Sequence, residues 1–159
     1  ETPGPVYVRM GRASVPAVYA PDVELELGKA YVIDEGTDVS IIACGLEVTE
    51  ARKAAEKLAE EGISAEVIDA FSVKPLDTET ILASLAKTGC AVVAEEHSVY
   101  GGLCSAVSEL CAESQPTPLE FVAVRDRFGK SGEFEELMAY FALDADSIVQ
   151  AAKKVLTRK

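Results

Sequence analysis

Three stretches of the chain carry residue types that could hold or transform a ligand. In the first, His97, the only histidine, stands just before Gly101 and Gly102, which open a helical pattern. A helix start presents free backbone N–H groups and the positive end of the helix dipole, so this turn could seat an anion. The glycines would also let another backbone approach closely. The alternative is a structural or interface histidine, because no nucleophile or metal ligand accompanies it.

The second stretch is a charged, glycine-containing loop that directly follows a strand-like run. Its candidate residues are Asp126, Arg127, Ser131 and Gly132. This loop and the His97 turn follow different strands, and we expect both at the carboxyl edge of one sheet, where ligands and partner surfaces gather in open α/β folds. The alternative is an exposed loop in which Asp126 pairs with a neighbouring arginine and contributes little to stability.

The third stretch contains Arg9 and Arg12, close to the beginning of the chain. Two guanidinium groups can clamp a phosphate bidentately, although solvated surface charge would give the same pattern. The sequence contains neither G-x-G-x-x-G nor G-x-x-x-x-G-K-[ST], and shows no Ser/His/Asp set, no paired catalytic carboxylates and no metal-ligand cluster. We therefore predict no catalytic residue and no metal site within this chain.

The composition narrows the choice of partners and location. With 48% hydrophobic residues, 26% charged residues and a formal net charge of −12, the 159-residue chain resembles a soluble domain that nucleic acid and anionic membranes would repel. No run approaches the roughly 20 apolar residues of a membrane span, and no signal pattern opens the chain, so we expect a cytoplasmic protein. The cysteines lack C-x-x-C spacing and are predicted to be reduced core thiols. They are Cys44, Cys90, Cys104 and Cys111.

The first half of the chain predicts strands and helices that could position these residues. The runs 30–33 and 39–44 flank a turn-rich loop with a central glycine, which predicts an antiparallel hairpin. Apolar periodicity then predicts a helix, a strand and a second helix. These are a helix over 47–61 ended by Gly62, a strand over 63–70 and a helix capped by Asp77 or Thr78.

The second half continues the alternation. It predicts a strand over 90–94, a helix over 102–113, a strand over 119–124 and two helices over 133–141 and 144–157, the last capped by Asp144 or Asp146. Strands alternating with helices require parallel crossovers with helices on both sheet faces. The expected fold is therefore a three-layer α/β/α domain, whose five-stranded sheet is mostly parallel with the first strand antiparallel.

Four stretches together resemble the carboxy-terminal domain of the transketolase-like, thiamine-diphosphate-dependent family. This family includes transketolase, deoxyxylulose-phosphate synthase and the beta subunits of 2-oxoacid dehydrogenases. The stretches run from Gly4 to Arg12, from Gly36 to Gly45, from Glu95 to Leu103 and from Asp126 to Gly132. They occur in the family's order and at family-like spacing, so the resemblance extends over nearly the whole chain. One departure is Cys104, where the family often has glycine.

The resemblance implies a division of the chain. Residues 1–28 would be the last strand of a preceding pyrimidine-binding domain plus a linker, and residues 29–159 would be a transketolase C-terminal domain. The chain starts directly in a strand-like run without methionine, which also predicts a piece of something longer. The expected partners are the missing diphosphate- and pyrimidine-binding domains or subunit, within a homodimer.

The resemblance also implies a function. The intact enzyme would transfer a two-carbon ketol unit between sugar phosphates with thiamine diphosphate and Mg²⁺, whereas this chain alone would bind neither cofactor and be inactive. Arg9 and Arg12 match positions that help hold the sugar phosphate in relatives. His97, Gly101, Gly102 and the loop from Asp126 to Gly132 would line a contact edge. The alternatives are deoxyxylulose-phosphate synthase, an oxoacid dehydrogenase beta subunit, or a non-catalytic module that binds a regulatory anion.

Overall fold

The computed structural model describes residues 3–8 and 14–159. Strands and helices alternate from residue 31 onward, as the sequence predicts. The strands are β1 (Tyr31–Asp34), β2 (Val39–Ala43), β3 (Ala65–Asp69), β4 (Ala91–Ser98) and β5 (Leu119–Val124). The helices are α1 (Glu47–Glu60), α2 (Thr78–Thr88), α3 (Leu103–Glu113), α4 (Phe134–Phe141) and α5 (Ala145–Leu156).

The strands form one mixed sheet in the order β1-β3-β2-β4-β5. Strands β2 to β5 are parallel, and β1 runs antiparallel to β3. Successive residues of β2 face opposite sides, so Ile41 packs against α1 and α5 while Ile42 packs against α2 and α3. Two apolar cores therefore sandwich the sheet, and the predicted three-layer α/β/α fold with an antiparallel first strand is confirmed.

Two helices, α2 and α5, begin with an aspartate cap. Asp77 accepts a hydrogen bond from the backbone N–H of Thr80 at 3.1 Å, and Asp144 accepts one from Ser147 at 2.9 Å. Each cap satisfies an N–H group that has no partner inside the helix. Of the alternatives predicted from the sequence, Asp77 and Asp144 are therefore the capping residues.

The predicted hairpin between the first two strands is wrong. Strand β1 pairs with β3, and β2 lies between β3 and β4. The loop between β1 and β2 crosses the beginning of β3, where the N–H groups of Thr37 and Asp38 donate to the Ser64 carbonyl at 3.2 and 2.8 Å. All five β2 residues are buried, so this strand occupies the sheet interior, while the half-exposed β1 lies at an edge.

Strand β4 also differs from its expected boundary. Strand β4 continues to Ser98 rather than ending at residue 94, with irregular pairing to β5 after Ala94, so His97 lies on the strand. Residues 3–8 form no strand among the described residues, and Val6, Tyr7 and Val8 are exposed there. No helix in the described ranges has the length and apolar character of a membrane span.

The crossing loop generates a test of the observed strand order. A Cβ on Gly36 would overlap the backbone of Ala65, so Gly36→Ala should lower the free energy of unfolding by about 3 kcal/mol. Urea denaturation followed by circular dichroism measures this loss. Gly129→Ala is the matched control, because its Cβ would meet nothing within 4 Å. Equal stability of the two variants would contradict the close crossing.

Candidate functional site

The start of α3 is occupied by a carboxylate of the chain itself. Glu95, on β4, is only 3% exposed, and its two oxygens accept hydrogen bonds from the backbone N–H groups of Leu103 and Cys104, both at 2.8 Å. Gly102 makes this possible because a Cβ there would overlap the Glu95 carboxylate. A negative charge at this position also complements the helix dipole. An external anion could reach these N–H groups only by displacing Glu95.

His97 lies beside this cap, with its side chain 44% exposed. Its Nδ1 is 2.7 Å from the Ser98 carbonyl oxygen and 3.9 Å from a Glu95 carboxylate oxygen. Because a carbonyl only accepts, Nδ1 carries the proton in this contact, which leaves Nε2 as the acceptor of a neutral ring. His97 is therefore held by local contacts while part of its side chain remains exposed.

The loop after β5 lies next to the His97 turn, as expected for one sheet edge. The Val99 N–H donates to the Val124 carbonyl at 3.0 Å, which joins the end of β4 to the end of β5. His97, Arg127 and Gly129 line one groove of about 430 Å³. Its apolar wall comes mainly from α4 and the turn that follows it. The wall consists of Phe134, Leu137, Met138, Phe141 and Leu143.

The other predicted site residues lie around this groove without lining it. Gly101 is exposed, and Gly102 faces the Glu95 cap. Asp126, Ser131 and Gly132 are exposed in the loop, with Asp126 in the left-handed region at φ 50°. The structure therefore places His97 and Arg127 on one groove, whereas Gly101, Gly102, Asp126, Ser131 and Gly132 are not part of its lining.

The loop cations contact aromatic rings rather than the acid beside them. The Arg127 guanidinium lies 5.7 Å from the Tyr140 ring centre, and the Lys130 ammonium lies 4.4 Å from the same centre. Hydrogen bonding with Lys130, followed by the Lys130 charge, lowers the pKa of the Tyr140 hydroxyl. Among the described residues, Asp126 forms an ion pair with neither Arg125 nor Arg127, so the expected ion pair is wrong, although the loop is exposed as that alternative predicts.

Sequence reasoning missed a buried acid at the same edge of the sheet. Glu47, the first residue of α1, is fully buried, and neither of its carboxylate oxygens has a hydrogen-bond partner. Burial, followed by the nearby charges of Glu50, Glu96 and Asp144, raises its pKa to about 8. The helical spacing of the sequence could have predicted this burial, since Glu47 continues the buried stripe of Ala51, Ala54 and Leu58. The side chain is therefore mostly a neutral acid at neutral pH.

A second buried acid secures the segment before the sheet. Asp69, at the end of β3, accepts a hydrogen bond from the Tyr19 hydroxyl at 2.8 Å, while its other oxygen is buried without a partner. Burial raises the pKa of Asp69. Burial and the neighbouring Glu95, Asp69 and Glu47 carboxylates also raise the pKa of the Cys44 thiol to about 12. These groups make the interior of the carboxyl edge acidic.

The four cysteines are free, and three of them are buried. The prediction of core thiols is therefore confirmed for Cys90, Cys104 and Cys111, whereas Cys44 is half-buried. Burial raises the pKa of the Cys104 thiol, which keeps it protonated and unreactive. These thiols contribute to packing rather than to chemistry.

The predicted phosphate ligands precede the described sheet in the chain, and no metal site is predicted. Arg9 and Arg12 lie outside the described residues, so their role as phosphate ligands stays a prediction. Within residues 3–8 and 14–159, no three or more His, Cys, Asp or Glu side chains are grouped so that they could hold a metal ion. The described residues therefore offer no metal-ligand group, and the start of α3 is already occupied by Glu95.

Comparisons with known proteins identify a single family. Residues 28–148 match the family model described as transketolase, C-terminal domain. The 6-deoxy-6-sulfo-D-fructose transketolase subunit SqwH of Clostridium sp. (strain MSTE9) is 47% identical over 98% of this chain, and the match covers 48% of that protein. The 1-deoxy-D-xylulose-5-phosphate synthase 1 of Geobacter sulfurreducens is 42% identical over 86% of this chain and is covered to 22%.

A solved structure agrees with these sequence matches. A structure titled split gene transketolase, inactive beta4 tetramer, superposes with a TM-score of 0.89 and 44% identity. The match covers 92% of this chain and 48% of that one. This chain thus spans about half the length of the transketolase subunits that it matches.

The internal cap at α3 can be tested by removing its charge. Glu95→Gln keeps the shape of the side chain but turns an NH₂ group toward one of the two backbone donors. We expect the free energy of unfolding to fall by about 2–3 kcal/mol, the usual cost of losing a charge-assisted bond to a buried donor. Glu96→Gln, at the exposed neighbouring position, should change it by less than about 0.5 kcal/mol. Equal losses in urea denaturation would refute the cap.

The burial of Glu47 predicts a pH dependence of stability. Its pKa of about 8 in the folded chain exceeds the ordinary value of 4.5, so the folded state binds more protons between these pH values. Stability contributed by the neutral acid is present below about pH 4.5 and is lost as the pH rises toward 8. Glu47→Gln should therefore reduce the fall in the urea midpoint between pH 5 and 8. Glu60→Gln, exposed on the same helix, should retain the wild-type slope. Parallel profiles for all three proteins would rule out a buried neutral Glu47.

Proposed function

Because residues 28–148 match its model, the chain belongs to the transketolase C-terminal domain family, and we propose that it serves as the assembly part of a transketolase. In this proposal the chain pairs with a separate amino-terminal part that carries the diphosphate- and pyrimidine-binding domains. The two parts together transfer a two-carbon ketol unit between sugar phosphates. The whole enzyme is a cytoplasmic homodimer.

The observation that carries this proposal is the internal use of the polar groups at the carboxyl edge. Glu95 satisfies the helix start where an anion would otherwise bind, and Glu47 and Asp69 are buried inside the same edge. The groups that remain exposed there include the apolar side chains Tyr100 and Phe128, with charged residues of both signs beside them. Exposed aromatic side chains with adjacent charges are typical of protein contacts rather than of a catalytic site.

The chemistry of the proposed enzyme resides outside the described residues. Thiamine diphosphate, held with Mg²⁺ by the amino-terminal part, supplies the nucleophile and electron sink for ketol transfer. Arg9 and Arg12 would approach the substrate from this chain and hold its terminal anionic group. A sulfonate would suit two guanidinium groups as well as a phosphate does, which is consistent with the sulfofructose transketolase subunit among the relatives.

A second candidate function has support from one comparison. The deoxyxylulose-phosphate synthase relative shares 42% identity with this chain, so the missing part could also accept pyruvate and release carbon dioxide. The beta subunit of a 2-oxoacid dehydrogenase would share this pyruvate-type chemistry. The regulatory anion-binding module is less favoured, because an anion would compete with the Glu95 carboxylate for the N–H groups of α3.

A mixing experiment tests the proposed function. The chain is combined with the amino-terminal part, thiamine diphosphate and Mg²⁺, and ketol transfer to ribose 5-phosphate is measured. Xylulose 5-phosphate and 6-deoxy-6-sulfo-D-fructose serve as alternative donors. We expect transfer only in the combined sample, since neither part would hold a complete site.

The controls separate the proposed function from its rivals. Each part alone should be inactive, and full activity of the amino-terminal part alone would remove the assembly role. Carbon dioxide release from pyruvate without ketol transfer would assign the chain to the synthase or dehydrogenase branch. Saturable binding of phosphate to the isolated chain would favour the regulatory module.

A further inference from the structure

One aromatic side chain stands out at the carboxyl edge. Phe128 is 99% exposed, the highest fraction among the large apolar side chains of the described residues. Aromatic side chains bury roughly 150–250 Å² each when they enter a partner and supply many of the anchors of protein interfaces. Its loop is tied to the sheet edge, because the N–H of Asp126 donates to the Val124 carbonyl at 3.0 Å. Phe128 thus projects from a loop whose base is fixed.

The loop around Phe128 is positively charged in a strongly acidic protein. Arg125, Arg127 and Lys130 form no ion pair with any described residue. Several cations elsewhere on the described surface do, as in the contacts of Arg52 with Asp34 and of Lys153 with Glu61 at 2.9 and 2.6 Å. The loop is therefore a local cationic surface on a chain of net charge −12, and it complements an acidic partner.

The same face carries a groove with one largely apolar wall. Arg127 and Gly129 line the groove of about 430 Å³ described above, so the loop forms one of its walls. The apolar wall comes from α4, and Glu96 belongs to the lining. Three further carboxylates are exposed at the start of α4. They are Glu133, Glu135 and Glu136.

We propose that this face pairs with the same face of a second copy of the chain, with Phe128 of each copy inserted in the apolar groove of the other. In this arrangement the loop cations of one copy face the carboxylates at the start of α4 in its partner. A two-fold axis requires an anchor and its receptor on one face, and both are present here, next to each other. The pairing deepens the assembly role proposed above, rests on it, and names the surface through which two copies meet.

The neighbouring sheet edge is not available for this association. Strand β5 is the last in the sheet, and its outward carbonyls at Leu119 and Phe121 accept hydrogen bonds from Arg158 and Arg125 at 2.8 and 2.6 Å. Side chains that occupy edge carbonyls hinder another strand from pairing there. Two copies therefore meet through the loop and the groove rather than by extending the sheet.

Sedimentation velocity of the purified chain over a range of concentrations tests the anchor. The wild-type chain should form a dimer, and Phe128→Asp should weaken its dissociation constant about 30-fold or more, the effect of losing a central anchor. Leu27→Asp is the control, because Leu27 is 75% exposed and lies outside this face. It should leave the dimer unchanged. A wild-type chain that is monomeric throughout, or a Phe128→Asp variant that dimerises normally, would overturn the proposal.

Charge reversal tests the reciprocal geometry. One variant carries Arg127→Glu with Lys130→Glu, and the other carries Glu135→Lys with Glu136→Lys. Each alone should be monomeric because like charges then face each other twice, whereas an equimolar mixture should form a heterodimer because both contacts become attractive. Failure of the mixture to associate would contradict the reciprocal contact.

The outcome for this surface can be separated from the outcome for the proposed function. If the combined parts transfer ketol units and the Phe128→Asp variant still dimerises, the proposed interface is wrong and the proposed function is supported. A dimer that depends on Phe128, without ketol transfer, would overturn the function instead. If the wild-type chain is monomeric and Phe128→Asp abolishes binding of the amino-terminal part, that part occupies the groove and the second copy does not.

Discussion

The carboxyl edge of this domain depends on the contact between Glu95 and the start of α3. The carboxylate reaches from β4 to the first N–H groups of the helix and compensates their partial positive charge. Gly102 leaves the space for it, and His97 lies 3.9 Å from it. Through this contact the sheet, the helix and the His97 turn hold one geometry. The same contact occupies N–H groups that could otherwise bind an anion, and it connects β4 to α3.

The consequence is an edge with buried carboxyl groups inside it and with aromatic and charged side chains on its surface. Glu47 is buried at the start of α1 and Asp69 at the end of β3, and desolvation raises the pKa of each side chain. Phe128 and the loop cations remain on the outside. An edge of this kind is suited to meeting another protein surface, and it leaves the chemistry of a transketolase to the part of the enzyme that carries the cofactor.

Much of the fold follows from the sequence, and the exceptions have physical causes. The alternation of apolar runs predicted every strand and helix from residue 31 onward, and the glycine turn and the charged loop were correctly assigned to one edge. The hairpin was wrong because a short loop that contains glycine suits both a tight turn and a crossing over a neighbouring strand. The burial of Glu47 could have been predicted from its place on the buried stripe of α1. The exposure of Phe128 could not, since an apolar residue in a loop gives no sign of the direction in which it points.

Hydrogen exchange tests most directly whether the carboxyl edge is an assembly surface. The exchange of backbone amides would be compared between the dilute isolated chain and the chain combined with its amino-terminal part, with α2 as the internal reference. We predict slower exchange in the assembled protein at residues 97–102 and 125–137, with little change in α2. Unchanged exchange at both segments in an assembled, active enzyme would contradict the account, because the edge would then remain exposed to solvent in the assembly.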